Sequence, residues 1–255
     1  MGKATKISII TIVFNDVKHL EGTILSVLNQ TNANIEYIII DGGSTDGTVD
    51  IIKKYADKLG FWVSEKDKGI YDAMNKGLRA ATGDFVWFMN SGDQVHEPDT
   101  IARFIGLIDE TTDVVYGETV LINDSGEILG MRRKKAPENL TWKSFFTGMM
   151  VCHQSVLVRR EIAPVYNETY RLSADFEWVL VSLKNARKIA NTRQILSRYL
   201  EEGATTKNHK ASLKERFRIM KQYFGFLPTV FIHVWLAFTS FIFKFRSKGD
   251  YRPIK

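Results

Sequence analysis

Cysteine is almost absent from this chain, with Cys152 alone among 255 residues. No disulfide can therefore form within the chain, which fits a reducing compartment. The first apolar run, residues 7–14, is too short to span a bilayer and lacks a small-residue cleavage site, so a signal peptide is not expected. Hydrophobic residues make up 44% of the chain and charged residues 25%, a composition that predicts a folded core rather than disorder.

Several nucleotide- and metal-binding signatures are also missing. No G-x-G-x-x-G follows the first apolar run, which disfavours a dinucleotide site, and the lack of G-x-x-x-x-G-K-[ST] excludes a P-loop. No group of His, Cys and Glu has the spacing of a zinc site. The net charge is +6, but residues 207–255 alone hold eleven Lys and Arg against two acids. The basic charge therefore belongs to a tail, which argues against a nucleic-acid-binding domain.

The first part of the chain alternates short apolar runs with segments of helical spacing. Strands are predicted at 7–13, 35–41, 61–64 and 85–89, and helices at 20–28, 48–55 and 70–81. This alternation predicts an α/β fold with a Rossmann-like, mostly parallel sheet flanked by helices and joined by right-handed crossovers.

The pattern changes after residue 93. Helices are predicted at 100–107 and 175–185, and strands at 114–123, 126–133, 155–158 and 194–200. We interpret residues 1–206 as one domain with two halves, 1–93 and 94–206, followed by a tail at 207–255.

Polar residues follow each of the first four predicted strands, and the carboxyl ends of parallel strands meet at one edge of a sheet. They are Asn15, Asp16, Asp41, Glu65, Asp67 and Asp93. Such an edge suits a nucleoside diphosphate held through a divalent metal ion, Mg²⁺ or Mn²⁺. Gly43, in the loop at 42–44, would let the backbone approach a ligand closely. The competing interpretation is that Asp41 and Asp46 are only turn and capping residues.

Longer motifs strengthen this prediction. The segments TIVFN (11–15), IIIDGGSTDGT (38–48), EKDKGIYDAMNKGLRAATGD (65–84) and FMNSGD (88–93) resemble the family 2 inverting glycosyltransferases with the GT-A fold. CHQSVLVRRE (152–161), SADFEW (173–178) and EEGATT (201–206) are similar to the bacterial surface-polysaccharide branch, colanic-acid-type enzymes included. The resemblance covers roughly residues 6–206.

The resemblance implies a role for each matching residue. The first half becomes the nucleotide-sugar-binding half and the second the acceptor half, with Asp175 as the general base and Asp93 as the metal ligand. Asp175 could alternatively be a helix N-cap. The implied donor-binding residues are Thr11, Phe14, Asn15, Asp41, Gly43, Ser44, Asp67, Asn75 and Lys76. His153 and Gln154 fall on the acceptor or diphosphate side, although a lone histidine can equally be a core residue.

Two departures from the family pattern stand out. Only Asp93 is a strong metal ligand in NSGD (90–93), where many relatives have more acids, so Asn90 and the donor diphosphate would have to complete the shell of Mg²⁺ or Mn²⁺. The Gln-x-x-Arg-Trp signature of processive polymerases is missing, which favours one transfer per encounter.

The tail predicts contact with a membrane. Residues 223–243 carry no formal charge, and Thr229, His233, Ala237 and Ser240 recur at helical spacing within a broad apolar surface. We expect an amphipathic helix lying in the membrane interface, with the basic segment 207–221 against anionic headgroups. Packing of the tail on the domain, burial in a homodimer, or a true spanning helix are the alternatives.

The sequence as a whole predicts a glycosyltransferase on the cytoplasmic face of the inner membrane, bound peripherally. It would move one hexose or deoxyhexose from a nucleotide sugar, with UDP as the family's usual nucleotide, to a lipid-linked or glycan acceptor in cell-surface polysaccharide biosynthesis. A non-catalytic nucleotide-sugar-binding or scaffolding subunit is the alternative. A sugar-1-phosphate nucleotidyltransferase would need a Gly-rich stretch with Arg after the first strand, which Phe14-Asn15-Asp16 lacks.

Overall fold

The computed structural model describes residues 5–31, 34–201 and 209–244, and within them nine strands form one sheet flanked by helices. The strands are β1 (Lys6–Val13), β2 (Asn34–Asp41), β3 (Phe61–Ser64), β4 (Phe85–Phe88), β5 (Gln94–Val95), β6 (Thr112–Ile122), β7 (Ile128–Met131), β8 (Val156–Arg159) and β9 (Lys188–Leu200). The α-helices are α1 (Leu20–Leu28), α2 (Thr48–Lys54), α3 (Ile70–Ala80), α4 (Thr100–Phe104), α5 (Ala174–Asn185), α6 (His209–Phe224) and α7 (Phe226–Lys244).

The sheet order is β3-β2-β1-β4-β8-β6-β9-β5, with β7 paired to β6. The strands β1, β2, β3 and β4 are mutually parallel, as the sequence predicts. The second half adds β8, which runs antiparallel to both β4 and β6, while β9 returns parallel to β6. The carboxyl ends of β1 to β4 therefore lie along one edge of the sheet. The strands β8, β6 and β9 extend the same sheet beyond β4.

Both faces of β1 are buried, which explains its continuous β-branched run. Ile10 and Ile12 face the core shared with α3, α5 and α6, whereas Ile7 and Ile9 face the core shared with α1, α2 and α4. The sheet is therefore covered on both sides, and in open α/β sheets ligands bind at the carboxyl edge.

The predicted elements of the first half match the observed ones to within one residue at each end. In the second half, β9 begins six residues earlier than predicted, and β5 and a short 3-10 helix at Trp142–Thr147 have no counterpart in the prediction. These pieces are short or depend on pairing with distant strands, so local periodicity carries little signal for them. The predicted domain boundary at 206 lies outside the described residues.

The tail forms two helices separated by Gly225, whose φ of 87° is left-handed. One face of this pair packs on the domain, where Ile219, Met220 and Ile232 are buried and Phe224 stacks on Trp142. Among the described residues, no helix is both long enough and apolar enough to cross a bilayer.

This packing sets which side of α7 faces the domain. Thr229 is fully buried, and its hydroxyl donates to the carbonyl oxygen of Gly225 at 2.7 Å. His233 contacts the Phe217 ring on α6. Thr229 and His233 therefore face the protein, and the exposed apolar residues of α7 face outward.

Helix α3 approaches the sheet closely at Gly77. A Cβ at this position would overlap the Cγ2 of Ile10 on β1 and would lie 3.6 Å from Ile40 on β2. Since the strand beneath cannot move away from its neighbours, any side chain here must push the helix off the sheet.

We expect Gly77→Ala to lower the free energy of unfolding by roughly 1–3 kcal/mol through overpacking. Gly106→Ala is the matched control, because a Cβ there meets nothing within 4 Å; it should leave stability unchanged or slightly raised. Urea denaturation followed by circular dichroism measures both. Equal stability of the two variants would contradict the close packing of α3 on β1.

Candidate active site

The loops that follow the four parallel strands are bonded to one another along the carboxyl edge of the sheet. The Asn15 backbone N–H donates to the Ser44 hydroxyl at 2.7 Å, and the Asn15 side-chain oxygen accepts from the Thr45 N–H at 2.9 Å. Asp16 accepts from the Ser91 hydroxyl at 2.7 Å, which joins the β1 and β4 ends. The strand-end residues predicted from the sequence thus lie along one edge.

Asp41 is fully buried, and its carboxylate organises the loop that follows β2. It accepts hydrogen bonds from the N–H groups of Gly43 and Ser44 at 3.1 and 2.9 Å, and from the hydroxyls of Ser44 and Ser64. Gly43 has a φ of 84°, which places these N–H groups where the carboxylate can reach them. In this structure Asp41 holds the loop in place, and a contact of its carboxylate with a base or ribose stays a prediction.

An exposed aromatic ring lies beside this loop. Phe14 is 63% exposed, and a Cβ built on Gly42 would lie 3.2 Å from its ring and 2.9 Å from a carboxylate oxygen of Asp67. Any residue larger than glycine at 42 would therefore displace one of them. A flat exposed ring with a backbone loop at its side is a suitable surface for stacking a nucleotide base.

Other predicted donor-side residues lie deeper. Thr11 is fully buried and donates to the Met89 carbonyl oxygen at 2.7 Å, so it supports the end of β4 instead of lining a base pocket. Asn75 is likewise buried and bonds the backbone of Tyr166. Lys76 is held in ion pairs with Glu65 at 2.8 Å and with Asp67. The burial of Thr11 and Asn75 argues against the direct contact with the donor that the resemblance implies for them. Lys76 and Asp67 lie at the carboxyl edge of the sheet.

Asp175 lies in the first turn of α5, beside Tyr71 of α3. The N-cap of α5 is Ser173, so Asp175 is not the cap. The Tyr71 hydroxyl donates to Asp175 at 3.4 Å. Burial raises the pKa of the Asp175 carboxyl, and the nearby positive charge of Arg216 opposes that rise. A partly buried carboxylate with a raised pKa is suited to accepting a proton.

His153 belongs to the core beneath this cleft. Its ring lies between Phe88 and Trp178, and its Nε2 is 2.7 Å from the Tyr166 hydroxyl. Burial lowers its pKa to about 3, so the ring is neutral. Of the two roles that the sequence leaves open for His153, ligand contact or core packing, these contacts favour core packing.

Asp93 is also buried, with 4% of its surface exposed. One carboxylate oxygen accepts from the Gln154 side chain at 2.8 Å and the other from the Leu200 N–H at 3.0 Å. Burial raises the pKa of Asp93 to about 7, and the negative charge of Asp16 adds to that rise. Gln154 is therefore a partner of Asp93 rather than a free acceptor-side group.

These contacts bear on the expected metal ion. Both oxygens of Asp93 are already bonded, and the described part of the chain contains no group of three His, Cys, Asp or Glu residues able to hold a metal. The side-chain oxygen of Asn90 is buried without a hydrogen-bond partner, which leaves one neutral oxygen available. The protein residues as they stand do not fit a closed site for Mg²⁺ or Mn²⁺.

The structure adds cleft residues that sequence reasoning missed. Tyr199 on β9 lies close to Asp93 and Asp175, whose negative charges, together with burial, raise its pKa. Three cations flank the same cleft: Arg132, Lys134 and Arg216. The basic run RRKK at 132–135 was the one sequence signal that could have drawn attention to this wall.

Comparison with known proteins gives a consistent family. The model of Glycosyl transferase family 2 matches residues 8–168. A PGL/p-HBAD biosynthesis glycosyltransferase of Mycobacterium bovis is 30% identical over 237 residues, which cover 88% of this chain and 85% of that relative.

Two solved structures share the fold. Staphylococcus aureus TarS 1–349 in complex with UDP-GlcNAc has a TM-score of 0.65 at 21% identity, over 85% of this chain and 65% of that chain. The present chain thus spans slightly less than two thirds of the TarS structure. The mannosyltransferase PcManGT from Pyrobaculum calidifontis, in complex with GDP-Man and Mn²⁺, has a TM-score of 0.63 at 15% identity, over 91% of this chain and 70% of that chain.

The raised pKa of Asp93 predicts a pH dependence of stability. Between the ordinary aspartate pKa and about 7, the folded protein holds a proton that the unfolded chain releases, so stability falls as the pH rises through this range. In the Asp93→Asn variant, this pH-dependent loss of stability should be smaller by on the order of 1–4 kcal/mol. Urea denaturation of both proteins at about pH 5 and about pH 8, with EDTA present, measures the difference. If the free energies of unfolding of the two proteins changed equally with pH, a raised pKa of Asp93 in the folded state would be contradicted.

Proposed function

This chain belongs to Glycosyl transferase family 2 and is a glycosyltransferase with the GT-A fold, and from that premise we propose a single, inverting sugar transfer from a nucleoside diphosphate sugar to an acceptor hydroxyl. The observation that carries the proposal is Asp175, a partly buried carboxylate with a raised pKa that lies beside Tyr71 and, like Asp93, close to Tyr199.

The proposed reaction is one displacement. The Asp175 carboxylate takes the proton of the acceptor hydroxyl as that oxygen bonds to the anomeric carbon. The bond from that carbon to the donor diphosphate breaks at the same time, and its electron pair leaves with the diphosphate. Tyr71 donates a hydrogen bond to Asp175 at 3.4 Å and orients the base. Attack opposite the leaving group inverts the anomeric centre.

For the donor we propose a UDP-sugar, with the base stacked on Phe14 and the phosphates near the N–H groups of the 42–44 loop. Support comes from the exposure of Phe14 and from the UDP-GlcNAc that the similar TarS structure holds. A divalent ion, Mg²⁺ or Mn²⁺, would bind together with the donor diphosphate, since the described side chains offer too few free oxygens to hold it alone.

For the acceptor we propose a lipid-linked or glycan hydroxyl in cell-surface polysaccharide assembly, the colanic-acid-type reaction included. The support is the sequence resemblance. The satisfied hydrogen bonds of Asp93 favour one second candidate, a non-catalytic nucleotide-sugar-binding subunit.

Asp175→Asn should lower the rate of sugar transfer by roughly 10²–10⁴-fold, because the amide cannot take the proton. Binding of UDP, measured by thermal shift with and without Mn²⁺, should be retained. Glu177→Gln on the same helix is the matched control, since Glu177 bonds Tyr223 at 3.2 Å on another side of α5. Release of nucleoside diphosphate from UDP- and GDP-sugars reports the reaction.

Three results bear on the proposal. Full activity of Asp175→Asn would remove Asp175 as the base. Nucleoside diphosphate binding by the wild-type protein without release from any nucleotide sugar would favour the non-catalytic subunit. An equal loss of activity in Glu177→Gln would show that the substitutions act by disturbing helix α5 and not by removing the proposed base.

We further propose peripheral attachment to the cytoplasmic face of the inner membrane through the C-terminal helices. The outward side of α7 presents a continuous apolar stripe, in which Leu227 is 76% exposed, Phe231 67%, Val234 65% and Phe238 59%. Large exposed apolar surfaces mark interaction sites. The four residues are spaced at one helical turn, so a single flat surface can enter the headgroup region.

Basic residues favour an anionic membrane as the partner of this stripe. On α6 the exposed cations recur at helical spacing: Lys210, Lys214, Arg218 and Lys221. Lys221 lies 5.7 Å from the centre of the Phe226 ring at the start of α7, which joins the basic and apolar surfaces. Anionic headgroups attract such a row of cations while the apolar stripe enters the interface.

Replacing Phe231 and Val234 together by Glu should cut recovery with phosphatidylglycerol-containing vesicles about tenfold or more, since two apolar side chains leave the interface. Lys214→Glu should weaken the same binding and its salt dependence. Leu25→Glu on α1, a residue 40% exposed, is the control and should bind normally. Flotation of the full chain measures recovery. Unchanged flotation of the double variant, or a dimer in solution that hides the stripe, would contradict membrane attachment.

A further inference from the structure

The loop that leads into α5 is held at two places by other parts of the chain. Residues 163–173 form neither helix nor strand. Near the beginning of this loop, Asn75 of the first half bonds the backbone of Tyr166. We name residues 171–173, which come directly before α5, the entry segment. Asp175 follows the entry segment within one helical turn, so the position of this segment sets the position of the Asp175 carboxylate.

The tail holds the entry segment through the carboxylate of Glu215 on α6. One carboxylate oxygen accepts from the N–H of Arg171 and the other from the N–H of Leu172, both at 2.9 Å. Backbone N–H groups in an irregular loop have no partner within a helix or sheet, so side chains or water must satisfy them. A carboxylate does so through charge-assisted hydrogen bonds, which are about twice as strong as neutral ones. Glu215 therefore holds two consecutive backbone units of the entry segment.

Ser173 makes a second contact between the entry segment and α6. It is the N-cap of α5, yet its side chain makes no capping hydrogen bond. Its hydroxyl donates to the Ser212 carbonyl oxygen at 3.2 Å and lies 3.0 Å from the Ser212 hydroxyl, and both serines are buried. An N-cap serine usually accepts a hydrogen bond from the first turn of its own helix. Here its side chain joins the start of α5 to α6 instead.

Helix α6 is a firm support for the entry segment because its inner face belongs to the core. Ile219 and Met220, about one turn after Glu215, are buried in the hydrophobic cluster that also contains Phe176 of α5. A close-packed core leaves few alternative positions, so α6 cannot slide without repacking this cluster. The hydrogen bonds of Glu215 and Ser212 therefore attach the entry segment to an element whose own place is set by packing.

We propose that Glu215 is a positioning residue for sugar transfer, which acts by setting the place of Asp175 through the entry segment. The inference rests on the proposed function, in which Asp175 is the base. Asp175 is the second residue after Ser173, so a shift of the entry segment moves its carboxylate as well. A misplacement of about 1 Å can lower a catalytic rate about a hundredfold. Helix α6 thus supports the chemistry in addition to the proposed membrane contact.

The test is a double-mutant cycle between Glu215 and Asp175, measured as sugar transfer by the full chain. Glu215→Gln keeps the size of the side chain, but the amide nitrogen cannot accept a hydrogen bond from a backbone N–H. Glu177→Gln makes the same change at another contact between α5 and α6 and serves as the control. Its amide oxygen can still accept the hydrogen bond that the Tyr223 hydroxyl donates. Circular dichroism checks that each variant is folded.

Glu215→Gln should lower kcat about tenfold to a hundredfold, because the base is displaced from the acceptor hydroxyl. The KM for the nucleotide sugar and the binding of UDP should stay unchanged, since the substitution leaves the donor side intact. In the Asp175→Asn background, the same substitution should lower the remaining rate about twofold at most, because a residue that acts through the base has little effect without it.

Hydrogen–deuterium exchange measures the attachment without turnover. The backbone amides of residues 171–176 should exchange faster in Glu215→Gln than in the wild type, because the entry segment loses a hydrogen-bond acceptor. The same amides should exchange at the wild-type rate in Glu177→Gln. Unchanged exchange in Glu215→Gln would show that Glu215 does not hold the entry segment, which overturns the positioning role.

Three kinetic results would also overturn the positioning role. Wild-type kcat in Glu215→Gln would do so and leave the proposed transfer standing. An equal loss of rate in the wild-type and Asp175→Asn backgrounds would show that Glu215 acts on the fold as a whole. Full activity of Asp175→Asn would remove the base on which the role depends. A wild type that releases no nucleoside diphosphate from any nucleotide sugar would overturn the proposed transfer together with the positioning role.

Discussion

Asn75 on α3 exchanges two hydrogen bonds with the backbone of Tyr166, one to its carbonyl oxygen at 3.0 Å and one from its N–H at 2.8 Å. The Asn75 amide thus pairs with the backbone of Tyr166 as a residue of a neighbouring strand would. Because Asn75 is buried, breaking this pair would leave polar groups without hydrogen-bond partners. The pairing joins the half that ends at β4 to the half that carries α5. The distance between the strand-end loops and Asp175 depends on it.

Aromatic packing extends from this junction to the cleft. The Tyr166 ring stacks on Tyr71 and on Trp178, and its hydroxyl bonds His153. Tyr71 in turn carries the hydroxyl that reaches Asp175. The proposed base is therefore oriented by a buried column of rings. Such a column has few alternative packings, which keeps the carboxylate in one place.

Much of this molecule could be predicted from its sequence, and the exceptions share a cause. The strands β1 to β4, the helices between them and the polar strand ends follow from local periodicity, and family membership follows from the motifs. The inward orientation of Thr11 and Asn75 could not be predicted, because their partners lie far away in the chain. The proximity of Arg132 and Arg216 was missed for the same reason, since the docking of α6 brings these distant residues together.

Gly225 gives the tail a geometric consequence. Its φ of 87° sets the turn between α6, which touches the cleft, and α7, which carries the exposed apolar stripe. Glycine adopts this conformation without strain. The backbone at Gly225 therefore sets the angle between the domain that carries the proposed active site and the plane of the proposed bilayer. The molecule would then meet its acceptor at a fixed tilt, and its search for that acceptor would be a two-dimensional diffusion along the surface.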